Sequence, residues 1–326
     1  MTTKETIARK LLGNAHADRY IEPIKIYDTD LDISEEYKDS LPDLQNDVYG
    51  GIKKNIEHVG IHNFRLPLKY DKKDGGTIEL ETRVTGTVSL DAAARGVNLS
   101  RVILTFYKFK DRDFNTELLE EILQAYREKI GSFDARIFLN FSYPIIQKSL
   151  RTDNEGYQYY NVTIEVNLNR NGEFTRKIHF DFVYSSACPC SNELSEHARK
   201  YRNRAAIPHS QRSVARITAV YDKHIWIEDL QQLCLNALKT ETQVAVKRSD
   251  EQAFAELNGS NPKFVEDAAR LLYRELSNNE TVLDFRVILS HLESLHSHDA
   301  ISVISKGVEG GLTSDFTVEE LRSLVR

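Results

Sequence analysis

Residues 160–184 read YNVTIEVNLNRNGEFTRKIHFDFVY, and this stretch decides the fold that we predict. Apolar side chains occupy every second position on both sides of the segment Asn169-Arg170-Asn171-Gly172. Such alternation is typical of strands with one buried face, and Asn-Gly tolerates the positive φ angles of a tight turn. The stretch therefore predicts an antiparallel hairpin whose inward side chains are Tyr160, Val162, Ile164, Val166, Leu168, Ile178, Phe180, Phe182 and Tyr184.

The rest of the chain extends this pattern in both directions. Apolar and alternating stretches predict further strands at residues 78–90, 100–109, 135–143, 213–221 and 283–289. Apolar residues at the helical period predict helices at residues 118–126, 227–238 and 317–324. Another helix is expected to begin at Asn261-Pro262, with Asn as its cap and Pro at its first position, and to run to about residue 276.

Strands followed by helices and more strands, twice over, predict an α+β fold of two modules, each an antiparallel sheet backed by helices. We expect an N-terminal arm at residues 1–56, a first module at 57–187 and a second module at 188–326. The second module holds most of the residues that could carry chemistry.

Composition narrows the class of protein. The chain has 326 residues, 28% of them charged, and a net charge of −6, which argues against a general nucleic-acid binder. No apolar run approaches the roughly 20 residues that cross a bilayer, and Met1-Thr2-Thr3-Lys4-Glu5 lacks the apolar stretch of a secretory signal. Only three cysteines occur, which favours a reducing, cytoplasmic location with thiols available for metal or nucleophilic chemistry.

The cysteines Cys188 and Cys190 flank Pro189 after a predicted strand. A helix is expected to start at Ser191 or Asn192, and a thiol just before a helix N-terminus lies in a positive potential that favours thiolate. The alternative is a pair of small residues in a tight turn. The spacing is not that of a structural zinc knuckle, so any metal needs histidine or carboxylate ligands as well.

His209 is the leading histidine candidate. Gln211, Arg212 and Ser213 follow it and suit recognition of an anionic or amide-rich ligand. A histidine in a loop is often only solvated, and His197 is a rival ligand that falls in a charged, solvated helix.

Three glutamates are candidates for acid–base or binding roles. Glu251 follows Lys247 and Arg248 and fits a surface loop, while Glu266 near a helix start fits a structural role. Glu293 differs, because parity places it on the apolar side if the strand at 283–289 continues unbroken. If that strand ends near residue 291, Glu293 is simply exposed.

Two histidines, His296 and His298, follow Glu293 two residues apart. In an extended segment they share one side, a geometry that suits metal, phosphate or proton transfer and also occurs by chance.

Taken together, these stretches resemble the GTP cyclohydrolase IB family over roughly residues 57–300. The resemblance rests on the number, order and spacing of seven short motifs: Val59-Gly60-Ile61-His62-Asn63, Gly96-Val97-Asn98-Leu99-Ser100-Arg101, Cys188-Pro189-Cys190-Ser191, His209-Ser210-Gln211-Arg212-Ser213, Lys247-Arg248-Ser249-Asp250-Glu251, Asn261-Pro262-Lys263-Phe264-Val265-Glu266-Asp267 and Glu293-Ser294-Leu295-His296-Ser297-His298. The sequence departs from the family pattern in a longer spacer between Cys188 and His209, in Leu99 where Met is expected, and in Ser210 where Asn is usual.

The resemblance implies tandem tunnelling-fold modules that form a homotetramer with active sites between subunits. It implies that Cys188, His209 and Glu251 bind one divalent metal (zinc, manganese or iron), with Glu266 beside a metal-bound water. Glu293 would bind the guanine edge, and His296 and His298 would lie near the ring and ribose. The remaining expected substrate contacts are Gln211, Arg212, Ser213, Lys247 and Arg248.

The implied activity is the conversion of GTP and water to 7,8-dihydroneopterin triphosphate and formate, which opens folate and pterin biosynthesis. Three alternatives stay open: a relative that releases a cyclic phosphate, a tunnelling-fold enzyme with a cysteine nucleophile such as a nitrile reductase, and a non-catalytic metal-binding scaffold. No nucleic-acid or membrane partner is expected.

Overall fold

A computed structural model describes residues 33–42, 51–222 and 224–324 of the chain. The chain divides into two compact units, residues 1–44 and 45–326. The described part of the first unit contains one short helix, α1 (Glu35–Asp39), whose N-terminus is capped by the Ser34 hydroxyl accepting from the Tyr37 N–H. Most of the expected N-terminal arm lies outside the described residues.

The second unit is built on one antiparallel sheet of eight strands that lie side by side in chain order. Each strand therefore pairs with its sequence neighbours. The strands are β1 (Ile56–Asp71), β2 (Thr77–Leu90), β3 (Ala135–Lys148), β4 (Glu155–Leu168), β5 (Phe174–Ala187), β6 (Ser210–Tyr221), β7 (Val282–His291) and β8 (Ala300–Ser305).

The hairpin predicted at residues 160–184 is confirmed as β4 and β5. Val162 pairs with Phe180 and Leu168 with Phe174, so the inward residues of the two strands share one face. The turn is closed by the Asn169 side chain, which accepts the backbone N–H groups of Asn171 and Glu173 at 2.9 and 3.0 Å. Gly172 takes a φ of +85°, which a residue with a Cβ rarely adopts.

Four of the helices pack on one face of this sheet and form the main core with it, whereas the last helix packs over Val214 and Ile288 on the opposite face. Large side chains such as Phe106, Tyr126, Phe182 and Phe285 are fully buried in the main core. The seven helices described in this unit are α2 (Leu99–Tyr107), α3 (Thr116–Ile130), α4 (Pro189–Arg202), α5 (Ile227–Leu238), α6 (Arg248–Ser260), α7 (Val265–Ser277) and α8 (Val318–Arg322). The predicted α+β class is therefore confirmed. No helix among the described residues is long and apolar enough to cross a membrane.

Two sequence-based predictions about helices are wrong. Residues 100–109 were expected to form a strand, but most of them lie in α2, because Val102, Thr105 and Phe106 fall on one buried helical face. Helix α7 begins at Val265 rather than at Asn261-Pro262, and the Asp267 carboxylate accepts the Phe264 N–H at 3.1 Å to cap it. Asn261 instead ends α6.

Element order repeats along the second unit. Two strands, helices and two strands occupy residues 56–168. The same order, with two further helices inserted, occupies residues 174–305, and α8 follows it. The sheet continues without a break past residue 187. The division into modules at residues 57–187 and 188–326 stays a prediction.

Candidate active site

Cys188 and His209 lie opposite each other where β5 and β6 meet. The last residue pair of these strands is Ala187 with Ser210, and just beyond it the Cys188 N–H donates to the His209 carbonyl at 3.3 Å. The thiol and the imidazole thus start from neighbouring backbone positions. Cys188 is half-buried and is the N-cap of α4, whereas Cys190 on the first turn is exposed.

The long spacer between these two residues folds as helix α4. Pro189 at the first helical position favours an immediate start, so the helix begins two residues earlier than predicted. Asn203 ends it in the left-handed region with a φ of +48°. Ser191 then accepts the His209 N–H at 3.1 Å, which brings the chain back beside Cys188.

His197, the rival ligand, lies in the middle of α4. Its ring is 4.8 Å from that of Tyr201, and the side chain is exposed. Nine residues of helix separate it from Cys188, a rise of roughly 13 Å along the axis. The structure therefore brings His209, rather than His197, to the cysteine.

Two side-chain oxygen atoms lie close to the Nδ1 atom of the His209 ring. Gln211 Oε1 and Glu293 Oε2 each lie 3.1 Å away, and the His209 and Glu293 side chains are only 14% and 12% exposed. Gln211 Oε1 accepts in hydrogen-bond geometry, which requires that Nδ1 carry the hydrogen. The lone pair is then on Nε2, the ring nitrogen that could bind a metal.

A buried chain of hydroxyl and amide groups fixes this arrangement. Gln211 Nε2 donates to the Ser186 hydroxyl at 2.8 Å, and the Ser186 and Ser213 hydroxyls lie 2.8 Å apart. Because the amide nitrogen is used by Ser186, the amide oxygen must face His209. Gln211 and Ser213, expected as substrate contacts, are buried here behind the histidine.

Glu293 follows neither of the two expectations drawn from the strand. β7 ends at His291, so the premise of the parity argument is wrong. The carboxylate is nevertheless largely buried against His209 instead of being exposed. Its Oε2 atom is buried without a hydrogen-bond partner in the described part of the chain. An acceptor of this kind is costly unless a ligand or water satisfies it.

The other predicted site residues are exposed in this chain. Lys247, Arg248 and Glu251 lie at the start of α6, and Glu266 is the second residue of α7. Arg212 is exposed on β6. The His296 and His298 rings stack with centroids 4.8 Å apart in the exposed segment after Glu293.

The described residues contain no group of three His, Cys, Asp or Glu side chains placed to hold a metal ion. The chemistry of the donors nevertheless fits a divalent ion, because thiolate, imidazole and carboxylate together suit zinc, manganese or iron. Cys188 and His209 meet at one strand end, whereas Glu251 lies on a separate helix. The three-ligand set stays a prediction.

Sequence reasoning missed a buried polar group next to this site. Lys263 and His291 are 4% and 2% exposed, and His291 Nε2 lies 2.9 Å from the Tyr184 hydroxyl. Burial lowers the pKa of Lys263 to about 8. Burial, with the charge of Lys263, lowers the pKa of His291 to about 4. The sequence did contain a signal for the burial of His291, because it alternates with the apolar residues Phe285, Val287 and Leu289 on one strand. No pattern in the sequence indicates that Lys263 is buried.

Among solved structures, the chain is similar to a uricase from Arthrobacter globiformis at a TM-score of 0.48 and 10% identity. That likeness covers 84% of this chain and 99% of the uricase.

Comparisons of sequence find relatives with much higher identity to this chain. A family model described as type I GTP cyclohydrolase folE2 matches residues 41–302. GTP cyclohydrolase FolE2 of Dinoroseobacter shibae is 50% identical over 94% of this chain and 84% of its own length. The FolE2 of Ruegeria pomeroyi is 51% identical over 91% of this chain and 83% of its own length. These matches confirm the resemblance to type I GTP cyclohydrolases, and the chain belongs to the FolE2 family of those enzymes.

Proposed function

We propose that this chain is a GTP cyclohydrolase of the IB type that uses a metal to convert GTP and water to 7,8-dihydroneopterin triphosphate and formate. Family membership supports the GTP cyclohydrolase activity in folate biosynthesis. The observation that carries the site assignment is the meeting of Cys188, His209 and Glu293 at the ends of β5, β6 and β7.

Cys188, His209 and Glu251 are the residues that would hold one divalent metal. Cys188 is the N-cap of α4 beside the His209 backbone, and Gln211 presents the Nε2 lone pair of His209. When bound, zinc, manganese or iron would lower the pKa of a coordinated water toward neutrality.

The chain's own acids and bases would carry the proton transfers. Glu266 accepts a proton from the water that attacks C8 of guanine, and His296 or His298 donates one to the nitrogen released as the imidazole ring opens. A second hydrolysis then releases formate, and the rearranged ribose closes the pterin ring. All three side chains are exposed in the single chain, so substrate can reach them.

Glu293 would select guanine. The buried Oε2 atom lacks a hydrogen-bond partner among the described residues, and the guanine edge offers N1–H and 2-amino donors that match a carboxylate. Lys247, Arg248 and Arg212 are exposed cations suited to the triphosphate. Gln211 and Ser213 would affect substrate only indirectly, through their hydrogen bonds to His209 and Ser186.

We also propose the tunnelling fold, assembly as a homotetramer with sites between subunits, and a cytoplasmic location. The antiparallel sheet backed by helices supports the fold. Exposure of Glu251, Glu266 and the two histidines supports a site that a second subunit completes.

The test is a formate-release assay on the purified chain with GTP and each of Zn²⁺, Mn²⁺ and Fe²⁺, with the pterin product identified by mass. The proposal predicts metal-dependent formate and a linear triphosphate. A cyclic phosphate product would contradict the assigned product. Consumption of NADPH without added metal, abolished by thiol alkylation, would indicate a cysteine-nucleophile enzyme, and metal binding without formate would indicate a scaffold.

A further inference from the structure

Lys263 is a buried cation whose hydrogen-bond acceptors are neutral. Its ammonium donates to the Asn261 carbonyl at 2.6 Å and to the Thr240 hydroxyl at 3.3 Å. The residue is only 4% exposed. Burial of a cation without a carboxylate partner is unfavourable, and an apolar side chain of the same length would fill the space at lower cost. The charge therefore calls for a role beyond packing.

Its position ties three elements of the candidate site together. The Lys263 N–H donates at 3.0 Å to the carbonyl of Ala187, the residue before Cys188. Thr240, which accepts from the ammonium, donates its own hydroxyl to the Ser185 carbonyl at 2.5 Å. Lys263 thus joins the end of β5 to the segment after α5 and to the residues that lead into α7.

Helix α7 begins two residues after Lys263, and its second residue is Glu266. The orientation of that helix start relative to Cys188 depends on the contacts of the 261–264 segment.

We propose that Lys263 is a positioning residue for the reaction: through its backbone N–H and its charged ammonium it holds the start of α7, and with it Glu266, against the end of β5 beside Cys188. This inference rests on the proposed function, because it assumes that Glu266 serves the reaction.

The surroundings of Lys263 define how its charge responds to pH. The charge of Lys263 helps to lower the pKa of His291 on β7, and His291 itself contacts Tyr184 on β5. The charged side chains that line the groove outside Lys263 are Lys239, Asp267, Arg274 and Glu275. With its pKa lowered to about 8 by burial, Lys263 loses its proton as the pH rises through that value. Arginine at this position would stay charged.

The experiment compares Lys263→Met and Lys263→Arg in the full-length protein with the wild type. Lys306→Met is the matched control, since the Lys306 ammonium also donates to backbone carbonyls, those of Val282 and Leu283 at the far end of β7. Formate release gives kcat and KM for GTP across pH, and thermal unfolding reports the fold.

We expect Lys263→Met to lower kcat by about 10- to 100-fold with little change in KM, while its unfolding temperature is unchanged or higher. Lys263→Arg should restore at least part of kcat and should lack the fall in activity near pH 8 that we expect of the wild type. Lys306→Met should keep the wild-type kcat.

Wild-type kcat in a folded Lys263→Met protein would overturn the inference. If Lys263→Met does not fold, the comparison of the wild type with Lys263→Arg decides: an identical alkaline fall in both would overturn it. Failure of the wild type to release formate would instead overturn the proposed function.

Discussion

The Nδ1 atom of His209 lies 3.1 Å from the Oε2 atom of Glu293. The pairing of β6 with β7 ends at Ser213 and His291. Glu293 lies two residues after that pair and His209 four residues before it, and their side chains converge. This contact joins a proposed metal ligand to the proposed guanine-binding carboxylate. In the proposed function, substrate bound at Glu293 would therefore lie next to the histidine.

Replacing Glu293 with Gln removes the charge but keeps the shape. The amide offers one acceptor where the carboxylate offers two, so the guanine edge is no longer matched. We expect kcat/KM for GTP to fall by at least about 100-fold. We also expect the preference for GTP over inosine triphosphate, which lacks the 2-amino group, to shrink.

Steady-state formate release from GTP and from inosine triphosphate gives kcat/KM for each nucleotide and therefore the preference between them. An unchanged ratio of kcat/KM for GTP and inosine triphosphate would show that Glu293 does not read the guanine edge.

Replacing Gln211 with Leu removes the acceptor that keeps hydrogen on His209 Nδ1. The side chain is 9% exposed, so its effect would come through the histidine. Metal affinity should weaken by about 10- to 100-fold, while KM for GTP measured at saturating metal should change little. A calorimetric titration with metal measures the expected loss of metal affinity.

The exposed neighbour Arg212 provides a contrast. Arg212→Leu should leave metal affinity unchanged and should raise KM for GTP, because the guanidinium is proposed to contact phosphate. If both variants change only KM, Gln211 contacts substrate and does not orient the histidine.

The buried carboxylate of Glu165 predicts how stability depends on pH. Burial alone would raise its pKa, but the hydrogen bond from His179 and the charges of Lys177 and Arg136 hold the pKa at about 2. Because this pKa is depressed from the usual 4.5, the stabilisation is complete above about pH 4.5 and is lost as the pH falls toward 2.

Arg136 and Lys177 are 31% and 30% exposed, so solvent screening reduces the effect. We expect it to be roughly 2 kcal/mol in the free energy of unfolding. Denaturant unfolding between pH 6 and pH 2 should show a smaller pH dependence for Glu165→Gln than for the wild type. Parallel curves would show that this cluster does not control acid stability.

Local patterns predicted much of the fold. Alternation identified the β4–β5 hairpin because a sheet with helices on one face buries every second residue of each strand. The same reasoning failed for residues 100–109, since a short apolar run fits a helix as well as a strand and only packing decides between them. The start of α7 was missed because Asn261-Pro262 matches a helix start while serving here as the end of α6.

The candidate site was predictable only in part. The family resemblance implied one site with Cys188, His209 and Glu293, and in the structure His209 pairs with the Cys188 backbone while its ring lies 3.1 Å from Glu293. The sequence could not reveal the hydrogen-bonded side chains that hold His209 in place. These side chains, Ser186, Gln211 and Ser213, meet because of the strand register and not because of their spacing in the sequence. Lys263 was missed for a related reason: nothing in its local sequence indicates that its ammonium is buried.

The two cysteines provide the most direct test of the whole account. Cys188 and Cys190 are two residues apart on the same turn, yet only Cys188 faces His209 across the strand ends. Metal content and formate release should be measured for Cys188→Ala and Cys190→Ala beside the wild type, with the oligomeric state as a control. The account predicts that Cys188→Ala loses metal and formate production while keeping its assembly, and that Cys190→Ala keeps both. Full formate production by Cys188→Ala would contradict it.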